Sequence, residues 1–592
     1  MPNIQYKLKG DMGNRIMNKK ETSNHKAIPT TLCALSYNDI YDDYDSVNVD
    51  LILGGIPTVS VVHHVAKLQF RVAYILGNTE EQIRIIREFC PYLPQKERLK
   101  VSKFIKEHYN QVSFIESSTC FYLYALALQN FQQYDASDTE LNLCQDEYEA
   151  VFKALLYCNQ RWTNEQMDGL SNPSDLTEIS VRVDLPIVEF KYHKDFKAQV
   201  YKAIQFFKFA ESDNYYKTIL PYFYNDNNVK NWEEYIELII SFYKSTFGSH
   251  IVTIDSKYAD VIKFFDQFII NIHDCANLWT DYNAITYFRN HFLLKLKADT
   301  YLIINPNLLV DKIYQGLKFM FAETIRLHSL PNKKGKPFKG GNLIPDFLSQ
   351  LGEDFSESHL MYRLFQQIFN GQASVMYTGE ELKSKGIQAE PDLYMRIGNV
   401  LYLVEHKDLS LGDKYRYSHD YSNIIRPAIC ERICMYTEKK HKGFGQLLYS
   451  MENIFKNGVM DSIDPDVQNV QMVVPIIVTT DRAFSCIGVQ RVLIEEGIGM
   501  MDMHSIGKKI FISQPIVVDY DILVACGYRL QQGFVNLYEI IDRYLKSNHF
   551  NLSPFNTFVM DYYLKQNKFR EQDVMFVTNG LFDKTSKRSI VY

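Results

Sequence analysis

Glu390-Pro391-Asp392-Leu393-Tyr394-Met395-Arg396-Ile397-Gly398-Asn399-Val400-Leu401-Tyr402-Leu403-Val404-Glu405-His406-Lys407 holds two apolar runs around a Gly-Asn pair. Gly-Asn between such runs predicts a β-hairpin closed by a two-residue turn. Counting back from Ile397 opposite Val400 then sets Asp392 opposite Glu405, provided no bulge shifts the register. Opposed residues point to one face, with Cβ atoms about 4.5–5.5 Å apart. Lys407, two residues past Glu405, shares that face by strand alternation.

Two carboxylates facing each other repel unless a positive group lies between them. A divalent cation answers this, and hard oxygen ligands favour Mg²⁺ or Mn²⁺. The His406 side chain points the other way, but its backbone carbonyl stands at the right level to be a further ligand. Val400, Leu401, Leu403 and Val404 make the strand apolar on both faces, as a buried central strand is. A carboxylate and an ammonium ending such a strand are costly unless paired or metal-bound. In an ordinary surface hairpin the carboxylates would instead be exposed and the strand would sit at a sheet edge.

Pro-Asp, about a dozen residues, then Glu-x-Lys on an apolar strand resembles the PD-(D/E)xK nuclease superfamily, the restriction-endonuclease-like fold. The resemblance covers roughly 341–530 and rests on Pro391-Asp392 and Glu405-His406-Lys407. It implies that Asp392 and Glu405 hold one or two Mg²⁺ ions. It also implies that Lys407 positions or deprotonates the attacking water and stabilises the charged transition state. Members of the superfamily often add an acidic residue from the first core helix. Glu357, at the start of a helix pattern over 359–369, is the candidate metal ligand, with Glu353 as its rival. Members related to the RecB nuclease carry Gln and Tyr on the helix after the Lys strand. Gln446-Leu447-Leu448-Tyr449 lies at that place, one residue shorter than the usual spacing, which makes Gln446 a candidate catalytic residue. Lys439, Lys440 and Lys442, with Lys414 and Arg416 among tyrosines, are candidates for a nucleic-acid groove, although a solvated face fits them equally well.

Around this segment the order is helix, hairpin, helix, strand. The strand-like runs are 391–397, 400–405, Val473–Thr479 and Ile516–Val518. This predicts an α/β domain with a mixed sheet flanked by helices. Pro475 is expected to limit its strand's pairing to one side. Helical periodicity fills most of 60–325, so a large, mainly α-helical region precedes the α/β domain. The division expected is a flexible N-terminus (1–45), a helical region of unknown role (46–330), a basic linker (331–341), the nuclease-like domain (342–530) and a helical tail (531–592).

Composition narrows the function classes. The chain has 592 residues, 64 Lys and Arg against 70 Asp and Glu, and a net charge of −6. That balance does not mark a nucleic-acid binder, but phosphate contact requires only a local basic groove. No apolar run reaches the ~18 residues of a membrane span, and the start lacks a secretory signal pattern. Ten cysteines without a CxxC pair read as reduced thiols, and the chain is expected to be cytoplasmic. There is no Walker loop and no GxSxG elbow, so a nucleotide-driven step would need a partner protein. The function expected is a metal-dependent nuclease, with DNA favoured over RNA. A homodimer or higher oligomer is compatible with this reading, and the architecture resembles anti-phage defence proteins. The alternatives are an RNase with the same site and a catalytically silent nucleic-acid-binding scaffold.

Overall fold

The computed structural model describes residues 33–578 apart from 74–78, 133–140, 173, 192–195, 248, 279–282, 339–340, 389, 409, 438, 504–509, 548–550 and 565–569. The chain is mixed α/β and about 62% helical. Its main sheet has six strands: β1 (Val375–Thr378), β2 (Leu393–Ile397), β3 (Val400–Lys407), β4 (Met472–Thr479), β5 (Phe511–Ile512) and β6 (Ile516–Asp519). β1, β2 and β3 form an antiparallel meander, and β3, β4 and then β5 continue the sheet in parallel. β6 also pairs with β4 in parallel, beyond β5 along the same edge.

The expected hairpin register holds. Ile397 pairs with Val400 and Leu393 with Val404, with no bulge between. Gly398 opens the turn at φ +56°, a conformation that glycine reaches without a Cβ clash. β3 is an interior strand, paired with β2 on one side and along its whole length with β4 on the other.

The expectation for Pro475 is corrected, because β4 pairs on both sides. Its contacts with β5 end at Val473, and those with β6 begin at Ile476. The carbonyls of Gln471 and Val473 accept from this outer edge, so Pro475, in phase with them, faces the same way. A proline has no N–H to give. The outer partner is therefore interrupted at Pro475 and resumes after it.

Helices cover both faces of the sheet. On one face Tyr402, Val404, Val474, Ile476 and Val518 join a core that also holds much of the N-terminal half, including Phe206, Phe321 and Tyr314. On the other, Leu401, Leu403, Val473 and Ile477 meet Leu447, Leu448 and Met451 of the helix Phe444–Asn457 and Val492 of the helix Val489–Met503. Val181, Leu185 and Val188, from the N-terminal half, belong to this second core. The apolar interior is thus continuous across 331–341, which joins two parts of one packed body. The reason lies in helices such as Phe196–Ser212, buried on most of their circumference between the two halves.

Two further expectations change. Residues 33–45 are not a loose start: Leu35, Tyr37 and Ile40 are buried and Cys33–Ala34 pairs with Val112–Ser113, while 1–32 lie outside the described residues. The N-terminal half also holds a three-stranded antiparallel sheet, Ile251–Thr253, Thr300–Ile303 and Leu293–Lys297, in that order. The described residues after 531 form helices over Leu537–Ser547, Phe555–Val559 and Arg570–Thr578. Among the described residues no helix is long and apolar enough to cross a membrane.

Candidate functional site

The end of β3 gathers the charged residues. Alternation along the strand turns Glu405 and Lys407 to the face that carries Leu401 and Leu403. Glu405 is 3% exposed, and its Oε1 accepts from Lys407 Nζ at 2.6 Å. Its other oxygen, Oε2, is buried without a hydrogen-bond partner. Asp392 stands across from Glu405, one residue before the first residue of β2, and its Oδ2 accepts from the His406 backbone N–H at 2.7 Å. The N–H and C=O of one strand residue leave the strand on the same edge. The His406 carbonyl therefore faces the Asp392 side, past the last rung of the hairpin. The His406 ring turns to the opposite face, wholly buried, where burial pushes its pKa down to about 4 and keeps it neutral.

The titration of this group reflects crowding. Burial, then the charge of Asp392, pushes the Glu405 carboxyl up to about 8. Asp392 is raised by desolvation, against the pull of Lys407. Burial alone would lower the Lys407 ammonium, but Glu405 and Asp392 raise it. Three carboxylates thus crowd around the Lys407 ammonium, the third being Glu357. Desolvation in the cleft, then Asp392, pushes Glu357 up to about 7. Its side chain keeps solvent access, so it stands at the mouth of the site rather than in its floor.

Glu357 does not begin a helix. Leu343–Leu351, Gly352–Met361 and Tyr362–Phe369 run on without a break, the middle segment wound as a π-helix. No helix N-terminus stabilises its charge, and the wide winding is a feature frequent at functional sites. Glu353 is exposed on the same segment, and it is Glu357 whose charge acts on both Glu405 and Lys407.

Asp408, the residue after Lys407, anchors the end of the strand. It accepts from the Ser356 and Thr480 hydroxyls, and from Lys318 Nζ at 3.2 Å. Burial alone would raise its carboxyl, but Lys318 and these bonds hold it well below the usual carboxylate range. Ser356 neighbours Glu357, so the network ties the π-wound helix to the strand. Thr479 is a second residue the sequence did not flag. It pairs with Lys407 across β3 and β4, and its buried hydroxyl has no partner. Position next to a motif pointed to Asp408, whereas Lys318, 90 residues away, left no local trace.

The remaining candidates separate. Gln446 donates from Nε2 to the Glu390 carbonyl at 3.1 Å. It therefore braces the chain two residues before Asp392 and makes no bond to the carboxylates. Arg416 is corrected outright. It is 3% exposed and locked to Asp481 at 2.7 Å and Glu189 at 3.0 Å, so it cannot reach a phosphate. Lys442 is paired with Glu431 at 3.2 Å. Lys439 and Lys440 are exposed in the turn before the helix Phe444–Asn457, and Lys414 is exposed with its ammonium 4.6 Å from the centre of the Tyr415 ring. Of the five basic candidates, Lys414, Lys439 and Lys440 are thus the exposed ones.

The donors suit a hard cation. Asp392, Glu405 and Glu357 offer only oxygen, and Glu405 Oε2 is buried and unsatisfied. Among the described residues no group of three or more His, Cys, Asp or Glu side chains is placed to hold a metal ion. Mg²⁺ does not require one, since it usually keeps several waters and takes one or two carboxylates. An ordinary surface hairpin is ruled out by the burial of Glu405 and the interior position of β3. No family model, curated protein or solved structure matches the chain.

Proposed function

We propose that the chain is a metal-dependent nuclease of the PD-(D/E)xK type, hydrolysing phosphodiester bonds, with DNA as its first substrate. The observation that carries this reading is the joining of Asp392, Glu405 and Lys407 at the buried end of an interior strand, with one carboxylate oxygen unsatisfied. Such a cluster is costly to fold and has no structural use that a neutral pair would not serve better.

Asp392 and Glu405 would hold Mg²⁺ or Mn²⁺, with the His406 carbonyl and Glu357 beside them. A cation held there would supply an acidified water and offset charge on the phosphoryl oxygens. Lys407, raised by its carboxylate neighbours, is protonated at neutral pH. It acts as a fixed positive charge toward the phosphorane-like transition state and orients the attacking water, rather than removing its proton. Gln446 holds the Glu390 carbonyl and so keeps Asp392 in place. Asp408 fixes the distance between the helix of Glu357 and the strand of Glu405. In this reading the preceding helices sense a trigger or bind a partner in a cytoplasmic defence role, and a homodimer would place two such sites on opposite strands.

The test is cleavage of plasmid, linear DNA and RNA by wild type and Lys407→Ala, with Mg²⁺, Mn²⁺ or EDTA. Metal-dependent cleavage that falls at least ~10²-fold in the variant is expected, the size of a lost transition-state charge contact. Cation titration of wild type against Asp392→Ala decides the case without a trigger. Identical binding in both would mean that the motif is structural.

A further inference from the structure

A second site lies away from these carboxylates. A cleft of about 730 Å³ opens between the helix Phe196–Ser212, the helical segment Tyr362–Phe369 with the turn after it, and the end of the helix Tyr520–Gln531. That volume falls within the range of roughly 300–1,000 Å³ typical of small-molecule sites. Its chemistry is unusual. Among the described residues Lys208 and Arg363 line it, no Asp or Glu does, and its other polar side chains are mainly carboxamides.

The floor is already built. Gln367 is engaged at both ends, accepting from Tyr201 Oη at 3.1 Å and donating to the Phe576 carbonyl at 3.1 Å. Gln531 donates to the Gln367 carbonyl at 2.9 Å, and Gln372 to the Leu530 carbonyl at 2.8 Å. These bonds spend the amides that hold the walls together. Lys208 and Arg363, in contrast, form no ion pair among the described residues and are left for a ligand. Arginine and lysine are the usual partners of phosphate oxygens. Carboxamides present a donor beside an acceptor, the pattern that reads a base edge.

We propose that this cleft binds a free nucleotide, with Lys208 and Arg363 on its phosphates and the open carboxamides on its base and sugar. The site is independent of the nuclease reading. It is composed from both halves of the chain. Arg363 lies six residues beyond Glu357 on the same unbroken helix, so an occupant touches the element that borders the carboxylate site.

The experiment is isothermal titration of the full-length protein with ATP, GTP, CTP, UTP and inorganic phosphate, in EDTA so that no cation links the two sites. Saturable binding of at least one nucleotide is expected, weakened about tenfold or more in Arg363→Gln and in Lys208→Gln, the loss of one charge-assisted contact. Lys407→Ala should bind as wild type does. Both altered residues reach solvent, so the variants fold, and circular dichroism checks this. The proposal is overturned by the absence of saturable binding, by binding that neither variant weakens, or by inorganic phosphate binding as tightly as any nucleotide. Binding of a short oligonucleotide without binding of any free nucleotide also overturns it. None of these results depends on cleavage activity.

Discussion

Replacing Glu405 with glutamine tests the electrostatics of the carboxylate site without requiring turnover. The carboxyl has an ordinary value of 4.5 and is pushed up to about 8 in the folded chain. Between these values the folded state holds a proton that the unfolded state releases. Stability of the metal-free protein therefore falls as pH rises through that window, the sign opposite to that of a salt-bridged carboxylate. At ~1.4 kcal/mol per pH unit, holding the burial cost of Glu405 is worth on the order of 3 kcal/mol at pH 7. The shift in Tm per kcal/mol shrinks with chain size, to roughly 1 °C for a chain this long, so a drop of about 3 °C from pH 5 to pH 7 is expected. Differential scanning fluorimetry in EDTA measures it, with wild type and Glu405→Gln run side by side. Glutamine is isosteric and neutral, so the variant should lose at least half of the pH slope. Mg²⁺ or Mn²⁺ should recover Tm in wild type at pH 8, where the carboxylate is ionised, and not in the variant. Equal slopes in the two proteins, with no response to either cation, would refute the reasoning. Glu405 would then be neither the group that titrates nor a cation ligand.

Three further outcomes follow from named contacts. Arg416→Ala leaves Asp481 and Glu189 facing each other in the interior and should cost about 3–5 kcal/mol, read as a lowered Tm or loss of soluble protein. An unchanged Tm with weaker DNA binding would restore Arg416 to the groove. Gln446→Ala should slow cleavage about tenfold and leave Lys407→Ala the more severe change, because the Gln446 side chain braces the Glu390 carbonyl and not the carboxylates themselves. Gly443→Ala places a Cβ 2.2 Å from the Ile433 carbonyl oxygen at φ +56°, and about 1–3 kcal/mol of destabilisation is expected by thermal melting.

The hairpin and its register were legible from eighteen residues because both depend on local rules. A Gly-Asn turn sets the pairing, period-two alternation sets the face, and both act within one short segment. Asp392, Glu405 and Lys407 therefore met as the spacing required. The first core helix was legible only in part, since the break expected before His359 is absent and π-winding carries no sequence period of its own. Arg416 misled for a related reason: a basic residue among tyrosines reads as a surface stripe until its partner is known. That partner, Asp481, stands 65 residues away.

What the sequence by itself determined is the strand pair, the runs that become β4 and β6, and the identity of the three charged residues at the end of the pair; β1 and β5 were not legible in it. Tertiary structure alone decided which basic residues remain available, which acid faces the site, and that 331–341 divides no core. It also brought Lys318 and Ser356 to Asp408 and assembled the amide-lined cleft from helices more than 150 residues apart. The physical reason is that backbone pairing and side-chain alternation are encoded residue by residue. Burial, ion pairing and desolvation are instead properties of a volume, set by whatever distant segments the continuous core draws together.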